Sequence, residues 1–250
     1  MGALHEGHLS LARLARREAG FVVASIFVNP LQFAPTEDLS RYPRREEADS
    51  AAFARENVDV VYAPEPAVMY PPGFSTAVEV TGVTEGGEGA ARPGHFRGVT
   101  TVVAKLFLQV APDVAVFGRK DLQQVAVIRR MVRDLDFPIR LLVGETVREP
   151  DGLAMSSRNA YLSPEDRRLA PVFPRALSRA RDAAARGESD AAKLAADVRQ
   201  ELEAAGIQVD YVEVVDPETM RPVEKAISGA AVTAAIRIGK TRLIDNVLLP

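Results

Sequence analysis

Cysteine is absent from the 250-residue chain. That excludes disulfides and thiolate metal sites and, with no signal-peptide pattern, points to a reducing cytoplasm. Long apolar runs are missing as well: the longest, residues 21–28, is broken by Ser25 and falls far short of a membrane span. Heptads, internal repeats and low-complexity tracts do not occur. Nor is there an excess of positive charge, since 31 Lys and Arg face 34 Asp and Glu for a net charge of -3. A global basic surface for nucleic acid is therefore not expected, while a local basic pocket for a small anion stays open. With 47% hydrophobic and 26% charged residues, what remains is an ordinary globule able to bury a substantial core in one domain or two.

What is present begins at once. Met1-Gly2-Ala3-Leu4-His5-Glu6-Gly7-His8 runs into the helical pattern Leu9, Leu11, Leu14, Ala15, which predicts a helix over residues 9–19. Two histidines at a helix start can join the unpaired N–H groups and the positive dipole end in facing an anion, and a nucleotide triphosphate is the natural one. Gly7 allows close backbone approach, and His5 and His8 lie one turn apart. By itself an H-x-x-H is also what two surface histidines look like, and it is an incomplete zinc site.

The run 21–28 reads as a strand buried on both faces and ends in Asn29-Pro30-Leu31-Gln32-Phe33. Proline stops it, leaving Asn29 and Gln32 at a strand's carboxyl end, where open α/β sheets bind ligands. Their amides suit a substrate carrying hydroxyls and a carboxylate, although turn chemistry alone also explains them. Residues 34–45 are polar and read either as a mobile wall or lid, in which Tyr42 could close over a ligand, or as a solvated connection. A helix over 46–56 and a strand over 58–62 continue the alternation, and 77–83 has a short strand pattern. The Gly-rich stretch 85–89 reads as flexible, leading through Arg92-Pro93-Gly94-His95-Phe96-Arg97-Gly98-Val99 to a helix over 99–109. Residues 114–117 form the next strand, ending in Gly118-Arg119-Lys120-Asp121-Leu122-Gln123-Gln124 and a helix reaching about residue 134. Lys120 suits phosphate, Asp121 can accept from ribose hydroxyls, and Gln124 can reach back to the substrate; a charged turn is the plain alternative.

A strand over 139–144 is followed by Val147 in a turn and by Glu149-Pro150-Asp151-Gly152 as a turn or linker in which Gly152 permits movement. In Met155-Ser156-Ser157-Arg158, two hydroxyls and a guanidinium can grip a triphosphate, or simply cap a helix. Ser163-Pro164-Glu165-Asp166 starts a helix running to about 186, and a second spans 190–205. Both read as solvated faces over a small core. Three β runs, 207–215, 230–238 and 242–249, close the chain.

The opening octet resembles the HIGH-type signature of nucleotidyltransferases in the form carried by the pantothenate synthetase (pantoate–beta-alanine ligase) family. Residues 27–33, 118–124, 155–158 (a variant KMSKS motif) and Thr241-Arg242-Leu243-Ile244-Asp245-Asn246 are similar to further blocks of that family, so the resemblance spans nearly the whole chain. Arg119 stands where the family usually has Glu, which adds positive charge near a polyphosphate.

The resemblance implies a Rossmann-like, doubly wound α/β domain over 1–148 and a smaller C-terminal α+β lid domain over 149–250. The family pattern has an apolar strand ending in Pro-Thr before the position of Met1, so the first strand is expected to be missing here. Implied activity is ATP-dependent ligation of (R)-pantoate and beta-alanine through pantoyl adenylate, releasing AMP and pyrophosphate, with Mg2+ carried by the phosphates rather than by a protein cage. His8, His5, Lys120 and Arg158 are the implied catalytic residues. ATP is expected to touch Met1, Gly2, Ala3, Leu4, His5, Glu6, Gly7, His8, Gly118, Arg119, Lys120, Asp121, Val147, Met155, Ser156, Ser157 and Arg158. Pantoate and beta-alanine are expected at Gln32 and Gln124, with Asn29 and Tyr42 as neighbours. A cytoplasmic homodimer without nucleic-acid or membrane partners is implied too. Two alternatives stay open at this point: a nucleotidyltransferase that leaves the nucleotide on its product, and a non-catalytic nucleotide-binding chain.

Overall fold

The structure, a computed structural model, describes residues 2–34, 39, 42 and 44–250. In chain order the regular elements are α1 (Glu6–Glu18), β1 (Val23–Ser25), α2 (Glu46–Arg55), β2 (Val60–Tyr62), α3 (Pro66–Met69), α4 (Gly87–Ala91), α5 (His95–Val110), β3 (Val114–Gly118), α6 (Leu122–Asp134) and β4 (Arg140–Gly144). There follow α7 (Pro164–Leu169), α8 (Val172–Ala185), α9 (Ala191–Ala204), β5 (Gln208–Val215), β6 (Ala231–Ile238) and β7 (Thr241–Leu248). The chain is a mixed α/β protein with parallel strand pairs and a C-terminal antiparallel sheet of three strands. It divides into two compact units. The first comprises Met1–Thr81, Arg92–Arg119 and Val127–Glu145, and the second Gly82–Ala91, Lys120–Ala126 and Thr146–Pro250.

In the first unit β1 pairs in parallel with β2, and β3 with β4. The last register position of the second pair sets Gly118 opposite Gly144, and Leu11 of α1 packs against both. A Cβ at Gly144 would collide with the Leu11 side chain. The bare backbone of Gly144 at the carboxyl end of β4 thus leaves room for the Leu11 side chain, which rests there as α1 packs on the β3–β4 pair. Ala12, Ala24, Ile26 and Phe53 form a buried cluster beneath it.

Several expectations change here. The strand expected over 21–28 is only three residues long, because the Val22 N–H is taken by the Asp59 carboxylate at 2.7 Å, and Phe21 is 64% exposed. Residues 77–83 form no strand: the Thr101 hydroxyl accepts the Val78 N–H at 3.0 Å, and the Thr100 hydroxyl donates to the Val78 carbonyl at 2.6 Å. Two α5 side chains replace a strand partner.

The second unit corrects two more. Residues 85–89, read as flexible, enter the helix α4 with Gly87 and Glu88 buried. The single helix expected to reach residue 186 is two, α7 and α8, since Pro171 has no N–H to continue the ladder. Nor is the core beneath α8 and α9 small. Phe173, Leu177, Leu194, Val198 and Leu202 are buried with Val212, Val214 and Ile236 in one cluster of the sheet and its two helices. Burying each such side chain stabilises by about 1.5–3 kcal/mol. β6 lies between β5 and β7, so seven of its eight residues are buried.

Candidate active site

The first unit holds two groups of the sequence-identified residues. Met1 lies outside the described residues. Beyond it, Ala3 has a positive φ of 51°, and the Ala3 and Leu4 N–H groups both donate to the carboxylate of Asp49 in α2, at 2.7 and 2.8 Å. Asp49 is only 4% exposed, so a buried carboxylate with two backbone donors anchors the chain before α1. His5 is then the N-cap of α1 and His8 its third helical residue. Their rings lie 4.0 Å apart between centroids, and the His5 N–H donates to His8 Nδ1 at 3.3 Å. An Nδ1 that accepts carries no hydrogen, so a neutral His8 bears its hydrogen on Nε2 and donates from there. Glu6 is paired with Arg13, whose guanidinium holds its carboxyl below the usual range. Gly2 is buried and Gly7 lies in the first turn.

In the second group, Asn29 is 2% exposed and its amide is fully engaged. Its Oδ1 accepts from the Leu31 N–H at 3.2 Å and the Tyr70 hydroxyl at 2.7 Å; its Nδ2 donates to the Gly98 carbonyl at 3.0 Å and to Gln32 Oε1 at 3.3 Å. Burial pushes the Tyr70 phenol up to about 12, so it stays a donor. The Gln32 carbonyl accepts from His95 Nδ1 at 2.8 Å and Arg92 Nη2 at 3.3 Å. Arg92 Nη1 stands 3.1 Å from His95 Nε2. Arginine only donates, so Nε2 accepts, and His95 is neutral with its hydrogen on Nδ1. Tyr42 rests edge-on against Phe33 at 5.8 Å; much of the stretch 34–45 read as a mobile wall lies outside the described residues. Gly118 ends β3, and Arg119 donates to Glu145 at 2.5 Å, so part of its added charge is met by that carboxylate.

The second unit holds the rest. Lys120 and Asp121 lie in a 3-10 turn, Nζ 3.7 Å from Oδ1. Gln124 is half-buried in the first turn of α6. Its neighbour Gln123 is 5% exposed and holds the Gly-rich segment: Oε1 accepts from the Glu88 N–H at 2.8 Å, and Nε2 donates to the carbonyls of Val83 (2.9 Å) and Gly86 (3.0 Å). The Val147 carbonyl accepts from the Met155 N–H at 3.0 Å, closing a turn in which Gly152 has a φ of 90°. Ser156 caps the 3-10 turn Ser157–Tyr161, its Oγ accepting the Arg158 N–H at 3.2 Å. That use takes a lone pair and leaves the hydroxyl hydrogen to donate elsewhere. Among the described residues no group of three or more His, Asp or Glu could hold a metal ion, and no helix is long and apolar enough to cross a membrane.

Asp49, Tyr70 and Gln123 were not singled out in the sequence. Each acts by reaching a backbone or side chain far along the chain, and nothing in its neighbourhood signals that. Arg92 and His95 carried a signal, since they lie in a stretch with two arginines, Arg92 and Arg97, leading into a helix start.

The family model described as pantoate-beta-alanine ligase matches residues 1–248. A pantothenate synthetase of Anaeromyxobacter dehalogenans is 58% identical over 257 residues, covering all of this chain and 89% of that protein. The crystal structure of pantothenate synthetase from Thermus thermophilus superposes with a TM-score of 0.97 at 52% identity, covering all of this chain and 91% of that one. A pantoate-beta-alanine ligase from Francisella tularensis, complexed with beta-gamma ATP and beta-alanine, gives a TM-score of 0.81 at 34% identity, over 99% of this chain and 87% of that one.

Proposed function

The chain belongs to the pantoate-beta-alanine ligase family, and from that premise we propose how its residues share an ATP-dependent ligation of pantoate to beta-alanine. The carboxylate of (R)-pantoate attacks the α-phosphorus of ATP, the bond to the bridging oxygen breaks, and pyrophosphate leaves. The amine of beta-alanine then attacks the acyl carbon of pantoyl adenylate. Its C–O bond to AMP breaks, the nitrogen loses a proton, and pantothenate forms.

Such displacements need reactants held in line and donors preplaced where negative charge grows. His8 is assigned the proton-donating part, from Nε2. The observation that carries this is the bond from the His5 N–H to His8 Nδ1, which sets the donating edge of the second ring. His5, Lys120, Ser156, Ser157 and Arg158 supply further donors to the phosphates, with Gly2, Ala3, Leu4, Gly7, Gly118, Asp121, Val147 and Met155 as backbone or flanking contacts. Gln32 and Gln124 hold pantoate. Asn29 acts by holding Gln32 and its loop, since all four of its hydrogen-bonding positions already have partners. ATP enters as its magnesium complex, the metal belonging to the substrate. A homodimer in the cytoplasm is taken from family resemblance.

The test is release of AMP and pyrophosphate by the purified chain given Mg-ATP and (R)-pantoate, with and without beta-alanine. Steady AMP release that requires beta-alanine is expected. Pyrophosphate release with the nucleotide retained on a stable product would instead indicate a nucleotidyltransferase, and release of neither product would overturn catalysis by this chain.

A further inference from the structure

Of the family-like blocks, Thr241-Arg242-Leu243-Ile244-Asp245-Asn246 is the one to which the reaction gives no part. It lies in β7, where Asp245 pairs with Ala234 and Asn246 with Thr233 of β6. Both side chains are buried, at 2% and 4% exposed, and buried polar groups persist only when partnered. Their partners decide what they do.

The Asp245 carboxylate takes both ends of one guanidinium: Arg148 Nη1 donates to Oδ2 at 2.6 Å and Nη2 to Oδ1 at 3.0 Å. Nη1 of the same arginine donates to the Gly152 carbonyl at 3.0 Å, and the Arg148 and Ala154 backbones form an antiparallel bridge. One fork held by β7 therefore ties together the turn 148–154, which leads directly into Met155-Ser156-Ser157-Arg158. β7 also packs against the 3-10 turn that carries Ser157 and Arg158. The next side chain along the strand reaches the other phosphate segment. Asn246 Nδ2 donates to the main-chain carbonyl of Lys120 at 3.0 Å.

We infer that Asp245 and Asn246 are positioning residues for the phosphate-handling groups, Asn246 acting through Lys120 and Asp245 acting through Arg148 on residues 155–158. Neither is given a contact with substrate. Two adjacent residues of one strand hold two segments that are well separated in sequence, so one rigid element sets the main chain of both. The inference rests on the proposed roles of Lys120 and Arg158.

Double-mutant cycles test it, because a residue acting through another loses its effect once that other is removed. Single-turnover formation of pantoyl adenylate is measured for the wild type, Asn246→Ala, Lys120→Ala and the double variant. Asn246→Ala is expected to slow the step about five- to tenfold, the scale of one hydrogen bond, and by less than about twofold when Lys120 is already alanine. If Asn246→Ala does not fold, Asn246→Leu keeps the size, removes the donor and carries the same expectation. A second cycle pairs Asp245→Asn with Arg158→Ala. Equal slowing in both backgrounds, or none in a folded variant, overturns the inference while adenylate formation by the wild type leaves the proposed function standing. A wild-type chain that forms no adenylate overturns both.

Discussion

His5 and His8 show how little backbone is needed to preset a donor. The His5 N–H points at His8 Nδ1, and the Asp49 carboxylate beneath takes the N–H groups of Ala3 and Leu4, so the turn that presents both rings is held at three points. Losing one preorganised donor from a phosphate displacement costs on the order of a hundredfold in rate. His8→Ala is accordingly expected to lower single-turnover adenylate formation at least about a hundredfold, in a protein that still folds and whose unfolding midpoint falls only by the loss of one helix-start hydrogen bond. An unaltered rate in the folded variant would remove His8 from the mechanism. At the same scale Arg119 is a lesser anomaly than its sequence suggests, because Glu145 lies 2.5 Å from its guanidinium.

Helix α5 is the element on which the loop of Asn29 and Gln32 depends. It delivers the Gly98 carbonyl to Asn29, brings His95 to the Gln32 carbonyl, and runs so near that a Cβ at Gly98 would collide with the Leu31 carbonyl and come within 2.7 Å of the Gln32 nitrogen. Backbone on both sides cannot yield as a flexible side chain would. Gly98→Ala should therefore push the loop aside, destabilising by about 1–3 kcal/mol and raising KM for pantoate while KM for ATP stays nearly constant. Steady-state kinetics with each substrate varied would check this, and an unchanged pantoate KM in a folded variant would disconnect Gly98 from pantoate binding. At this scale much was legible in the pattern: α1, α2, α5, α6 and the strands from β3 onward fall close to where periodicity and punctuation put them. The failures have physical causes. Residues 77–83 look like a strand but find threonine hydroxyls, and the glycines of 85–89 look flexible but meet Gln123.

At the scale of the whole molecule, surface carboxylates govern the acid limit. Arg13 holds the carboxyls of Glu6 and Glu56 below their ordinary range, the Val22 N–H and Arg16 do so for Asp59, Arg130 for Asp134, and Arg167 for Asp151. A carboxyl depressed on folding binds its proton less tightly in the native state. Its stabilisation is present above the ordinary range near pH 4 and is lost as pH falls through the native value. Asp245 works the other way, raised by burial against the pull of Arg148, and it is outnumbered. The urea midpoint is thus expected to fall steadily between about pH 5 and pH 2.5. A midpoint level across that interval would contradict the linkage.

What the sequence determined by itself was whatever depends on neighbours within a few residues: the helices and strands of strong period, the proline and glycine punctuation, and the motifs that mark the pantoate-beta-alanine ligase family. Local spacing is enough for these, because helix, turn and phosphate-binding loop are each built from contiguous backbone. Only the tertiary structure decided which residues hold those motifs in place. Asp49 under the first turn, Gln123 under the glycines, Arg148 on Asp245 and Asn246 on the Lys120 carbonyl join positions tens of residues apart. Such pairings leave no periodic trace, since a buried polar group needs a partner in space and chain order does not say where that partner stands.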